Sequence, residues 1–155
     1  MTTKENKLHT IFMNVAYSIA EMSNCVSHKV GAIIVKDGRI ISTGYNGTPA
    51  GYLNCCDKFH DYSTEQREEH HNFSEKFEIH AELNAILCAA KNGMSTNDCS
   101  LYCTLQPCNN CLKMICNSGI KTIIYRYEYD KFNLNSRIQE MLEKCKIQLI
   151  CEKDF

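Results

Sequence analysis

The 155-residue chain has no excess of either charge: 17 lysines and arginines stand against 18 aspartates and glutamates, a net charge of −1. With no basic excess and no channel of basic residues interleaved with aromatics, there is no face for tracking a phosphate backbone, which argues against tight binding of long nucleic acid. A local pocket for one phosphate is compatible with the same balance. No apolar run is long enough to cross a membrane. The first stretch, MTTKENKLHTIFMNVAYSIAEMS, lacks the unbroken apolar segment of a signal peptide. Instead Leu8, Ile11, Phe12, Val15, Ile19 and Met22 recur at helical spacing, as on an amphipathic surface helix. Internal repeats, low-complexity tracts and linkers are also missing, so the length predicts a single domain over residues 1–155 with a core that needs no staple.

What the chain does have is cysteine: eleven, at positions 25, 55, 56, 88, 99, 103, 108, 111, 116, 145 and 151. An odd count of this size suits a secreted disulfide scaffold with one thiol left over. The missing leader favours a reducing, cytoplasmic setting instead, where cysteines are small core hydrophobes or metal ligands.

Two apolar runs, VGAIIV and IISTGY, flank Lys36-Asp37-Gly38-Arg39 and predict a β-hairpin. The following NGTPAG is a loop that permits close backbone approach. Residues 52–77 are polar, hold His60, His70 and His71, and predict a loop with a short helix around TEQREEHHNF. A helix then fits 80–91, ended by Asn92-Gly93. SLYCTL reads as a strand, Pro107 suits the first turn of a helix running towards Gly119, KTIIYRY is a strand, 135–145 a helix and IQLIC a last strand. This order implies an α/β fold with a mixed five-stranded sheet and helices on both faces. The first two strands form an antiparallel pair, and strands separated by single helices pair in parallel.

EIHAELNAI places His80 two residues before Glu82 at a helix start. Alone it is an ordinary helix N-terminus, with the carboxylate complementing the macrodipole. Cys-x-x-Cys, here Cys108 and Cys111, is alone a zinc pair, a redox dithiol or coincidence in a cysteine-rich chain. Together His80, Glu82, Pro107, Cys108 and Cys111 match the His-x-Glu, Pro-Cys-x-x-Cys signature of zinc deaminases. The chemistry fits the pattern. One imidazole and two thiolates suit zinc and leave a fourth position for water, and two cysteines three apart at a helix start present both sulfurs to one side. Glu82 is then the general acid/base and not a ligand. A closed zinc knuckle or buried thiols remain the structural alternative.

On these motifs, with SHKVGAIIVKDGRIISTGYNGTPAG before them and SGIK after TLQPCNNC, the chain resembles the deoxycytidylate (dCMP) deaminases of the cytidine deaminase superfamily, particularly those of large bacteriophages. The likeness runs from the first helix to the last strand. It implies the three-layer α/β/α fold of that superfamily and conversion of dCMP to dUMP and ammonia by a zinc-activated water, supplying dTMP synthesis. It places Asn46 on the sugar hydroxyl, and the backbone around Ala81 and Thr104 to Leu105 around the pyrimidine. For the 5′-phosphate the candidates are Ser23, Ser27, His28 and Lys29, with Tyr129 and Lys131; Ser27 and Lys29 are preferred.

Phage-type relatives hold a second, structural zinc, and Cys25, Cys55 and His70 stand where three of its ligands fall. Those relatives place a further histidine where this chain has Gln66, so His71, His60 or Cys56 is left to complete the set. Regulated relatives are homohexamers activated by dCTP and inhibited by dTTP. At their effector site this chain carries Cys88 and Lys91. The rival readings are a deaminase of dCTP or of a 5-modified dCMP, and a non-catalytic zinc-binding module. The expected setting is the cytoplasm, that of the host cell for a viral member.

Overall fold

The computed structural model describes residues 3–60, 62–129 and 135–154. In chain order these form α1 (Thr3–Ala20), β1 (Gly31–Lys36), β2 (Arg39–Tyr45), α2 (Cys55–Lys58), α3 (Arg67–Phe77), α4 (Ala81–Lys91), β3 (Ser100–Leu105), α5 (Asn109–Cys116), β4 (Thr122–Tyr127), α6 (Ser136–Lys144) and β5 (Gln148–Cys151). The strands make one five-stranded sheet of order β2-β1-β3-β4-β5. Successive strand residues point to opposite faces, and the core divides accordingly. Ile33 and Val35 of β1, Tyr102 of β3 and Ile124 of β4 pack on Phe12, Met13 and Ala16 of α1. Their neighbours Ala32, Ile34, Leu101, Cys103 and Ile123 face Ala81, Ala85, Leu112, Ile115 and Leu142 from α4, α5 and α6. Helices therefore cover both faces, giving the expected three layers. Among the described residues no helix is long and apolar enough to cross a membrane.

The hairpin turns as its Asp-Gly pair predicts: Asp37 and Gly38 take φ of 49° and 73°, the two positive values a tight I′ turn needs. β3 with β4 and β4 with β5 pair in parallel across single helices. The expected parallel pairing of β2 with β3 does not occur, because β1 lies between them and is antiparallel to both. Composition explains the order. GAIIVK is apolar and buried almost throughout, which suits an interior strand, whereas RIISTGY begins exposed and takes the edge. Gly44 lets that edge strand press on α4: a Cβ there would fall 2.3 Å from backbone atoms of both Ala81 and Ala85.

Three local expectations change. The face of α1 against the sheet is Phe12, Met13, Ala16 and Ala20, while Leu8, Ile11 and Met22 are exposed. Small residues win this face because Gly31 of β1 comes so close that a Cβ on it would meet the Ala16 carbonyl. Pro107 lies ahead of α5 and not in its first turn, since the extended Cys108 is the N-cap. The polar segment 52–77 holds two helices, α2 and α3, and α3 extends past the expected TEQREEHHNF.

Candidate active site

Because β1 runs against β3, the start of β1 lies beside the carboxyl end of β3; the Gly31 N–H donates to Thr104 Oγ1 at 3.2 Å. Two helices begin at this sheet edge, α4 with His80 as its N-cap and α5 with Cys108 as its N-cap. Cys111 lies in the first turn of α5. His80 Nδ1 is 3.6 Å from Cys108 Sγ and 3.4 Å from Cys111 Sγ. The three donor atoms all lie within 4.8 Å of one another. This is a zinc donor set with three positions filled, and His80 is open to the pocket. Cys108 is pulled down to about 4 because the Cys111 thiol donates to it, and the same sulfur holds His80 up at about 9. Cys111, as the donor and a buried thiol, is pushed up.

Glu82, two residues beyond His80, is 3% exposed. Burial raises its carboxyl above the usual range. It lines the same pocket as His80 and Cys108, together with Asn46, Ala81, Leu105 and Tyr129. Asn46 braces the pocket wall: its Oδ1 accepts from Val30 N–H and its Nδ2 donates to the His28 carbonyl, both at 2.8 Å. Each amide atom keeps capacity for one further hydrogen bond. Gln106, which the sequence reading passed over, also lines the pocket, and its Oε1 accepts from the Tyr129 N–H at 3.3 Å.

The residues predicted for the nucleotide do not all reach the pocket. Ser27, His28 and Tyr129 line it. Thr104 is turned to Gly31 and does not. Lys29 is drawn to the surface by Glu21, with its amino group 3.3 Å from the carboxylate. Ser23 is buried and donates to the Asn46 carbonyl. Lys131 lies outside the described residues. Lys91 and Cys88 line a separate groove with Tyr45, Tyr52 and Asn84.

A second trio lies along the same pocket, whose lining includes Cys25 and His70. Cys55 Sγ and Cys25 Sγ lie 3.3 Å and 3.7 Å from His70 Nε2, again with all donor atoms within 4.8 Å of one another. All three are buried, against Phe59 and Phe73. His71 stands outside the cluster because adjacent residues on a helix point about 100° apart, and it is exposed. His60 and Cys56 are exposed on α2 and its end and are likewise outside it. Gln66 caps α3 through its backbone, its carbonyl accepting from His70 N–H. The sequence reading missed Glu78. Its Oε2 accepts from Ser74 Oγ at 2.6 Å, while Oε1 is buried with no hydrogen-bond partner among the described residues. Its charge acts on Cys25, Cys55 and His70 alike. The signal lay in the extended conformation at 78–80, where Ile79 bridges Gly47: a period of two puts Glu78 and His80 on one side.

The geometry agrees with comparisons to known proteins. A family model described as the cytidine and deoxycytidylate deaminase zinc-binding region matches residues 6–127. Deoxycytidylate deaminase of enterobacteria phage T4 is 43% identical over 153 residues, covering 77% of this chain and 77% of that protein. The phage T2 enzyme of the same name is 43% identical over 149 residues, covering 77% and 79%. The crystal structure of dCMP deaminase from the cyanophage S-TIM5, in complex with dCMP and dUMP, superposes with a TM-score of 0.74 at 33% identity, covering 96% of this chain and 97% of that one. With its zinc donor set, its buried carboxylate and these relatives, the chain belongs to the zinc-dependent cytidine and deoxycytidylate deaminase family.

Proposed function

We propose that this chain, as one domain over residues 1–155, hydrolyses dCMP to dUMP and ammonia. The observation that carries the reading is the His80, Cys108 and Cys111 trio with a buried, easily protonated Glu82 beside it at one pocket. His80, Cys108 and Cys111 hold the zinc, which supplies a Lewis acid that makes water a nucleophile near neutral pH. Glu82 takes a proton from the attacking water as the C4–O bond forms and delivers it to ring N3. It then carries the second water proton to the amino group, which leaves as ammonia when the C4–N bond breaks. A carboxyl held up by burial suits both directions of transfer. Ala81 and Leu105 line the ring's place and Asn46 holds the sugar hydroxyl with its spare capacity, while Ser27 and Tyr129 lie on the phosphate side.

Cys25, Cys55, His70 and Glu78 form the second, structural zinc site, with the carboxylate as fourth ligand. The buried Cys25, Cys55 and His70 trio and the buried, unpartnered Oε1 of Glu78 support this. The groove holding Lys91 is the effector site for dCTP and dTTP in a homohexamer, supported by the exposed Leu87 beside it. Lys91 offers a point charge there, without the fork of an arginine. The setting is the host cytoplasm. A deamination assay of zinc-loaded protein on dCMP, dCTP, deoxycytidine and 5-hydroxymethyl-dCMP, with and without dCTP as effector, tests the reading. Turnover of dCMP well above the others is expected; preference for another of the four overturns the substrate, and no turnover of any overturns the activity.

A further inference from the structure

The pocket opens into a second cavity with which it shares Ser27, His28, His70, Ser74, Leu105 and Tyr129. Among the described residues lining either space there is a single lysine or arginine, Arg67, the first residue of α3, and it belongs to the outer chamber. Its guanidinium lies over the Tyr62 ring, 5.3 Å from the centroid, and its Nε donates to Tyr62 Oη at 3.2 Å. That contact fixes the guanidinium plane while using only one of its five N–H groups. No carboxylate pairs with it among the described residues. Two carboxylates, Glu68 and Glu128, line the same outer chamber and not the inner pocket.

We propose that Arg67 binds the 5′-phosphate of the substrate and that Glu68 and Glu128 set the chamber against a triphosphate, so that this wall selects nucleoside monophosphates. The inference rests on the deaminase reading above and supplies the phosphate specificity it leaves open. A planar fork held over an aromatic ring suits bidentate contact with one phosphate. One guanidinium balances one such group. Two further phosphates would bring their charge beside Glu68 and Glu128, the carboxylates among the described lining of this chamber, and like charges brought together at a binding surface discriminate strongly between partners. Lys29, the cation the sequence reading preferred, lines neither space and is paired with Glu21.

The test uses zinc-loaded wild-type protein, Arg67→Gln, Arg67→Lys and the double variant Glu68→Gln/Glu128→Gln. Steady-state kinetics on dCMP, dCTP and deoxycytidine are paired with calorimetric binding of dUMP and deoxyuridine, and with zinc content. In Arg67→Gln the preference for dCMP over deoxycytidine, and for dUMP over deoxyuridine, falls roughly 10- to 100-fold, mainly through KM. Zinc content stays at the wild-type value and Arg67→Lys recovers part of the preference. In the double carboxylate variant, dCTP gains on dCMP by roughly three- to tenfold. An unchanged phosphate preference in Arg67→Gln, or equal losses with and without the phosphate, overturns the role of Arg67. An unchanged dCTP to dCMP ratio overturns that of the carboxylates. Failure of the deaminase reading shows separately, as wild-type protein that turns over none of the three, and the dUMP to deoxyuridine binding ratio then still decides the phosphate site.

Discussion

His80, Cys108 and Cys111 meet where two helices start, at the wall of an open pocket, whereas Cys25, Cys55 and His70 are drawn from a loop and two separate helices and are 7%, 2% and 4% exposed. The donor chemistry is the same, and Cys25 and His70 line that pocket too, but the burial differs. In the first trio hydrogen bonding among the ligands pulls Cys108 down to about 4. In the second, burial pushes Cys55 up to about 12, raises Cys25 and lowers His70. Three ligands and an uncommitted position make a reactive centre, and three ligands with a buried carboxylate oxygen beside them make a closed one. What separates the two in the proposed reading is the role given to the neighbouring carboxylate: proton carrier for Glu82 at the first site, ligand for Glu78 at the second.

The largest effect that sharpens this contrast comes from Glu82→Gln. The amide keeps the shape and cannot carry a proton, so kcat falls by about 10²- to 10⁴-fold. Both zinc ions are expected to stay bound, which metal analysis of the purified variant checks. Activity within tenfold of wild type assigns the proton transfers to another group. Next in size is Cys55→Ser. Zinc content drops from two per chain to one, and the unfolding midpoint falls by roughly 5–10 °C as α2 and α3 lose their tie. Two zinc ions retained in this variant, or a wild-type protein that holds only one, overturns the second site as drawn from Cys25, Cys55 and His70.

How far the sequence anticipates these sites follows from how local each determinant is. The first trio is legible because its ligands come in two short motifs at helix starts, and the hairpin because Asp37-Gly38 sets its own turn. The placement of β1 between β2 and β3 is not, since it depends on which strand the whole sheet buries. The α1 face is misread because Ala16 and Ala20 gain their value only from the close approach of Gly31. Lys29 looks like a phosphate ligand until Glu21, eight residues away, takes it to the surface. Arg67 and Glu78 are passed over for the converse reason. Arg67 lies in no motif and Glu78 opens EIHAELNAI but stands outside its His-x-Glu pair, and each acquires meaning only when α3 folds its length along the pocket.

The smallest effect addresses the fourth ligand. Glu78→Gln retains the oxygen that accepts from Ser74 but loses the charge felt by Cys25, Cys55 and His70. The second zinc then still loads at one equivalent, with its affinity lowered roughly 10- to 100-fold in a chelator competition. His71→Ala, on the outward side of the same helix, leaves that affinity unchanged. The opposite pair of results, an indifferent Glu78 and a sensitive His71, requires α3 to turn by about 100° when metal binds. That rotation would expose Phe73 and unseat His70, the one α3 residue already in contact with both sulfurs. Glu78 Oε1 is already buried without a hydrogen-bond partner among the described residues, so the proposed site calls for no such movement.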